Sequence, residues 1–191
     1  METLSKLFGS EAKVKMMRLF LFNPETVFDT AEISRRSDEN PVKVRKEINL
    51  LLKTGLVKHH TLRSGKNGFV LNSQFTYLLP LQNFLINTEP LQPKEIIHRI
   101  SKLGVIKLIL VAGVFIQNQE SRVDILIVGD HIKKSALEHT MKSLESEIGK
   151  ELRYSHFTTE DFNYRNGMCD KLIRDILDYP HKKLVNKLGI I

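Results

Sequence analysis

The sequence has a single cysteine, Cys169, and lacks an apolar run long enough to cross a membrane. An internal disulfide is therefore impossible, and a reducing compartment is the expected environment. The longest apolar run, residues 105–116, contains Lys107 and is shorter than the roughly 20 residues that a membrane helix needs. No signal peptide is visible, because Glu2 stands near the start and no long apolar stretch follows it. We therefore expect a cytoplasmic protein without a membrane partner.

Signatures of the common catalytic and metal sites are also missing. The sequence contains no Gly-x-Ser-x-Gly, no Gly-rich phosphate-binding loop and no paired-carboxylate hydrolase pattern. The histidines are scattered without metal-ligand spacing, and the neighbours His59 and His60 would face opposite ways on a strand. Cys169 has no helper motif, so we expect it to be a buried structural thiol. These residues predict no catalytic group, no metal and no cofactor.

Charge is distributed unevenly along the 191 residues, which suffice for one large or two modest domains. The net charge is +7. Residues 1–80 hold 13 Lys or Arg and 8 Asp or Glu, whereas residues 81–191 hold 16 and 14. The positive excess of the first part favours a polyanionic partner, without distinguishing DNA from RNA or a membrane surface.

Residues 31–72 contain the succession of elements expected of a DNA-reading module. A short helix is predicted at residues 31–37. A second helix follows, for which Asn40 is a favoured N-cap and Pro41 suits the first helical position. Gly55 ends this second helix, since glycine tolerates the left-handed conformation of a C-terminal cap.

The second helix separates apolar from basic residues. Its apolar residues recur at helical spacing and predict a buried face: Val44, Ile48, Leu51 and Leu52.

Two strands are predicted at residues 56–62 and 69–72, and Arg63 and Lys66 lie in the tight turn between them. Residues 43–66 contain seven Lys or Arg and one acidic residue, an imbalance greater than solubility requires.

This order of helix, turn, basic helix and hairpin resembles a winged helix-turn-helix domain. The resemblance rests on the apolar and glycine pattern of residues 48–57 and on the basic tip formed by Arg63 and Lys66. It implies that the second helix enters the major groove of double-stranded DNA and that the hairpin touches the backbone or the adjacent minor groove. The implied DNA-binding residues are Lys43, Arg45, Lys46, Asn49, Lys53, Arg63 and Lys66. The other interpretation is that these charges only solvate an exposed helix face.

The second half of the chain alternates helices and strands. Helices are predicted at residues 93–103, 131–150 and 168–177, and strands at residues 105–111, 123–128 and 151–157. Pro90 and Pro93 mark a boundary before this region. The sequence therefore predicts a two-domain α+β or α/β chain. Its parts are residues 1–80, a linker helix at 81–92, and a domain at 93–191 with a mixed sheet and flanking helices.

The strand-loop-strand block at residues 110–126 resembles the minimal nucleotidyltransferase domain. Members of that family carry Gly-Ser after the first strand and Asp-x-Asp at the second. Residues two apart on a strand point to the same side, so two such carboxylates jointly hold the divalent metals that bridge a triphosphate. The resemblance extends to the strand and helix that follow residue 151.

In this sequence the implied catalytic residues are largely replaced. Gly113 remains, but Val114 stands at the serine position. Arg122 occupies the first acid position, and only Asp124 is left of the pair. The third acid is missing, with only Glu151 nearby. We expect Arg122 to pair with Asp124 and to occupy the metal position with its guanidinium, which leaves a degenerate site without catalysis.

The combined prediction is a prokaryotic-type transcriptional regulator that binds double-stranded DNA and carries a pseudoenzyme domain for sensing, dimerisation or partner contact. One alternative is an active nucleotidyltransferase that is targeted by its winged helix and uses Mg²⁺. Another is a protein-interaction module. The sequence leaves open whether a nucleotide or small molecule acts as effector, and whether residues 77–86 hold a homodimer together or pack within their own chain.

Overall fold

The computed structural model describes residues 2–61, 65, 67–86, 91–118 and 120–190. The predicted mixture of helices and sheets is confirmed, since the fold is α+β with two separate sheets. Contacts divide the chain into two units. The first unit comprises Met1–Thr88 with Lys142–Glu151, and the second comprises Glu89–Met141 with Leu152–Ile191.

The first unit consists of helices followed by an antiparallel hairpin and a further helix. Its elements are α1 (Glu2–Phe8), α2 (Glu11–Phe22), α3 (Thr30–Ser37), α4 (Pro41–Thr54), β1 (Val57–Thr61), β2 (Asn67–Leu71) and α5 (Leu78–Leu85). The hairpin pairs Val57 with Leu71 and Thr61 with Asn67. Residues 62–64 and 66 of the predicted turn lie outside the described residues.

The ends of these helices follow from local capping chemistry. The Asn40 carboxamide oxygen accepts the Lys43 N–H at 2.9 Å, and Gly55 ends α4 with a φ of 77°, so both predicted caps are confirmed. Helix α3 begins at Thr30, one residue before the predicted start at residue 31. The Asp29 carboxylate is the cap and accepts the Glu32 N–H at 2.8 Å.

The core of the first unit joins α2, α3 and α4 to the hairpin. Phe28, in the segment before α3, exchanges two backbone hydrogen bonds with Phe69 of β2. Its ring packs edge-on against Phe20 of α2. The buried set comprises Met16, Met17, Leu19, Phe20, Leu21, Phe28, Ile33, Val44, Ile48, Leu51, Leu56, Val57, Phe69, Leu71 and Leu85.

A buried arginine joins the end of a distant helix to this core. Helix α7 (Lys134–Ile148) ends within the first unit. Arg18 of α2 is 1% exposed, and it donates to the carbonyls of Leu85 at 3.2 Å and Glu147 at 2.9 Å. Burial lowers the pKa of Arg18, and the charge of Glu147 partly offsets this shift. The sequence assigned residues 142–151 to the second domain, whereas these contacts place them in the first unit.

The second unit contains a four-stranded mixed sheet. Besides the start of α7, the second unit contains α6 (Pro93–Ser101), β3 (Val105–Val111), β4 (Ile125–Asp130), β5 (Tyr154–Phe157), α8 (Thr159–Gly167), α9 (Lys171–Asp178) and β6 (Lys182–Asn186). The strand order is β5-β4-β3-β6. Strand β4 runs parallel to β5 and antiparallel to β3, and β6 runs antiparallel to β3. Strand β6 was not predicted, because this partly exposed edge strand begins with two lysines and lacks a continuous apolar run.

Three local expectations in this unit are wrong. Helix α7 begins at Lys134 rather than at residue 131, because His131 has a φ of 60°. Cys169 is exposed rather than buried, and it has a φ of 55° between α8 and α9. The predicted helix start at residue 168 therefore moves to Lys171.

Candidate nucleic-acid interface and the surroundings of Asp124

Helix α4 presents its polar residues to solvent and its apolar residues to the core. The polar residues Lys43, Arg45, Lys46, Asn49 and Lys53 are all exposed. Val44, Ile48 and Leu51 are buried. The amphipathic spacing alone predicted this division, because residues three and four apart share one side of a helix.

The charges around α4 are arranged so that its exposed face has little negative charge. Glu47, the single acid between residues 43 and 66, is 7% exposed and lies 3.8 Å from Lys13. Lys43 pairs with Glu39 at 3.2 Å. Arg45, Lys46 and Lys53 have no carboxylate within 4 Å among the described residues. These three cations are therefore available to an external anion.

The hairpin adds exposed polar residues beside this helix. Lys58, His59 and His60 of β1 are exposed. The predicted tip residues Arg63 and Lys66 lie outside the described residues, so their role in DNA binding stays a prediction.

The candidate dimerisation segment, residues 77–86, has both buried and exposed apolar side chains. Leu81, Leu85 and Ile86 pack against the core of the first unit. Tyr77 and Leu79 are about two-thirds exposed. Packing within the chain and an apolar outer surface therefore coexist here, and a homodimer stays a prediction.

Asp124 is held by backbone groups inside the second unit. It is 1% exposed, and it lies immediately before β4. The Val114 N–H donates to Oδ1 and the Arg153 N–H donates to Oδ2, both at 2.9 Å. Nε of Arg153 lies 3.4 Å from Oδ2. Both carboxylate oxygens of this buried side chain therefore accept from protein groups, as buried polar groups usually do.

Gly113 fits closely beneath this carboxylate. Its φ is 53°, a conformation that favours glycine, and a Cβ added there would overlap Oδ1 of Asp124. The Ala112 N–H donates to the Asp124 carbonyl at 2.9 Å. The strand-to-loop turn after β3 and the start of β4 are thus locked together by Gly113 and Asp124.

The expectation that Arg122 pairs with Asp124 is wrong. Nε of Arg122 lies 2.6 Å from Oδ2 of Asp175 in α9, and Arg153 is the cation beside Asp124. Residues 122 and 124 precede β4 instead of lying on it, so strand alternation does not align their side chains. Sequence reasoning missed Arg153 and Asp175, because both reach the site only through sheet pairing and helix packing.

A small cavity lies beside the Arg122–Asp175 pair. It has about 10 Å³ of space for the centre of a water molecule, and Ala112, Ser121 and Ile176 contribute to its wall. The Ser121 hydroxyl is buried there without a hydrogen-bond partner among the described residues. This volume suits one water and is far too small for a nucleotide.

A preformed metal site would bring several ligating side chains together in the described part of the chain. No cluster of three or more His, Cys, Asp or Glu residues there has a geometry that could hold a metal ion. Within the same residues, every helix is too short or too polar to cross a membrane.

Comparisons of this chain with protein-family models, with curated proteins and with solved structures find no match.

Proposed function

We propose that this protein is a sequence-specific transcriptional regulator that binds double-stranded DNA through a winged helix-turn-helix arrangement in its first unit. Helix α4 enters the major groove, and the β1–β2 hairpin contacts the sugar-phosphate backbone. The second unit is a nucleotidyltransferase-like domain without catalysis, retained for sensing, dimerisation or partner contact.

One observation carries the DNA-binding proposal. The exposed face of α4 bears Arg45, Lys46 and Lys53 without carboxylate partners among the described residues. The only acid of the helix, Glu47, is turned inward and lies beside Lys13. A face that only aided solubility would not require this segregation, whereas a phosphate-lined groove attracts it.

The surroundings of Asp124 support the proposal that the second unit lacks catalysis. Nucleotide transfer needs several carboxylates free to hold divalent metals. Here Asp124 accepts two backbone N–H groups, and the other acid position holds Arg122. Val114 also lacks the hydroxyl that the family places beside the phosphates.

The DNA proposal is tested by selecting binding sites from a random duplex pool with the full chain. Arg45→Ala is expected to weaken binding to the selected site by about 1–3 kcal/mol, because a base-contacting side chain is lost. Lys66→Ala is expected to weaken binding to all DNA sequences alike. It should also reduce the slope of the logarithm of the binding constant against the logarithm of the salt concentration by about one.

The matched control is Arg174→Ala, which removes an exposed arginine of α9 in the second unit. It should bind the selected site as the parent does. Failure of the parent to enrich any duplex would refute the proposal, as would unchanged binding by both the Arg45 and Lys66 variants.

The catalytic part is tested separately with labelled ATP, GTP, CTP or UTP and Mg²⁺ or Mn²⁺. No label should appear on the protein, on a partner or in released pyrophosphate. Turnover by the parent that disappears in Asp124→Ala, while DNA binding persists, would replace the pseudoenzyme assignment with an active transferase.

A further inference from the structure

Four exposed residues of α4 form a line along the helix, here called the outward stripe: Val42, Lys46, Asn49 and Lys53. Their spacing of four, three and four residues places them within about 60° of one another around the helix axis. The buried residues Val44, Ile48 and Leu51 lie on the opposite side. The outward stripe therefore projects farthest from the core of the first unit.

Two members of the outward stripe are not cations. Val42 is 73% exposed. The Asn49 carboxamide is exposed and makes no hydrogen bond to another described residue. General attraction to phosphates would be served by lysine at both positions, so these side chains add chemistry that charge alone does not supply.

That chemistry matches the major-groove edge of A·T base pairs. Adenine offers an N6 donor beside an N7 acceptor, which the oxygen and NH₂ of a carboxamide engage together. Thymine offers an apolar C5-methyl group, which an aliphatic side chain contacts. Asn49 and Val42 supply these two complements, while Lys46 and Lys53 supply positive charge beside them.

The helix geometry sets the distance between the two contacts. Asn49 lies seven positions after Val42, which corresponds to about 10 Å at a rise of roughly 1.5 Å per residue. Base pairs are spaced by about 3.4 Å, so this distance covers roughly three base-pair steps when the helix follows the groove.

We infer that the outward stripe selects A·T pairs, with Asn49 contacting an adenine and Val42 contacting a thymine methyl group about three base pairs away. This inference rests on the proposed DNA-binding function and names the class of sequence that the same helix recognises. Selected sites should therefore share an adenine and a thymine at that separation.

Base analogues test each contact without changing base pairing. Each thymine of the selected site is replaced in turn by deoxyuridine, which removes only the methyl group. For the parent, one such replacement should weaken binding about fourfold, the fold-change expected for one buried methylene-sized group of ~0.8 kcal/mol. Val42→Ala should show no penalty at that position. Val105→Ala, a half-exposed control on β3, should keep the full penalty.

The adenine contact is tested in the same way with 7-deazaadenine, which lacks the N7 acceptor. Asn49→Ala should bind the selected site about 5- to 150-fold more weakly, and it should no longer sense the analogue. Asn163→Ala, which removes an exposed carboxamide on α8, is the matched control and should behave as the parent. Alanine favours helix at both α4 positions, and circular dichroism verifies that the helix is kept.

The possible results separate this inference from the function on which it rests. A parent that enriches no duplex refutes the proposed function and this inference with it. A parent that binds a selected site yet shows no deoxyuridine or 7-deazaadenine penalty overturns the inference alone. A full deoxyuridine penalty in Val42→Ala, or a full 7-deazaadenine penalty in Asn49→Ala, also overturns it by assigning the contact to another residue.

Discussion

Replacing Asp124 with alanine distinguishes a structural carboxylate from a metal ligand. The side chain is buried and accepts the Val114 and Arg153 N–H groups, each at 2.9 Å. Asp124→Ala removes both acceptors and leaves two backbone donors without partners. A buried donor left unsatisfied costs about 1–3 kcal/mol, so we expect the free energy of unfolding of the second unit to fall by about 3 kcal/mol.

Two further variants calibrate this value. Asp124→Asn keeps the shape and one acceptor but turns an NH₂ group toward the other N–H, so roughly half of the loss is expected. Asp178→Ala removes an exposed carboxylate 4.0 Å from Arg174 and should change the stability by less than about 0.5 kcal/mol.

The assay must report the second unit by itself. The chain has no tryptophan, so urea unfolding is followed by far-UV circular dichroism, and hydrogen exchange in peptides from β4 localises the loss. Parent-like stability in Asp124→Ala, combined with loss of measurable Mg²⁺ binding, would refute the structural role. It would restore Asp124 as a metal ligand.

Two other changes probe contacts in the separate units. Gly149→Ala should lower the thermal stability of the first unit, because the glycine has a φ of 87° and an added Cβ would lie 2.5 Å from the carbonyl carbon of Arg18. The control is Gly167→Ala, which should be nearly neutral in thermal unfolding because the space around that glycine is open. Equal effects of the two substitutions would contradict this reasoning. Hydrogen bonds from Thr159 hold the pKa of Asp130 below its ordinary value of 3.8. A lowered carboxyl pKa stabilises the fold above the ordinary value and loses that contribution as the pH falls through the folded value. Thr159→Val should therefore be less stable than the parent at neutral pH, and urea titrations should show the difference shrinking below pH 3.8; a gap that widens in acid would refute the assignment.

The caps and the buried face of α4 could be predicted closely, whereas the surroundings of Asp124 could be predicted only in part. Asn40, Pro41 and Gly55 act on residues a few positions away, so their effects are visible in the sequence. At the second site, the position of Gly113 beside Asp124 follows from adjacent strands. The Arg153 N–H that donates to Asp124 could not be predicted in this way, since Arg153 is 29 residues away along the chain.

By itself, the sequence determined where α4 begins and ends and which of its faces is buried, because these depend on neighbours three or four residues away. It also determined where β3 runs, because that strand is a largely apolar run. Only the tertiary structure decided that Arg122 pairs with Asp175, that β6 joins the sheet beside β3, and that the end of α7 belongs to the first unit. These features depend on contacts between residues distant in the chain. Each partner there is chosen by burial and hydrogen bonding in three dimensions, which no local pattern records.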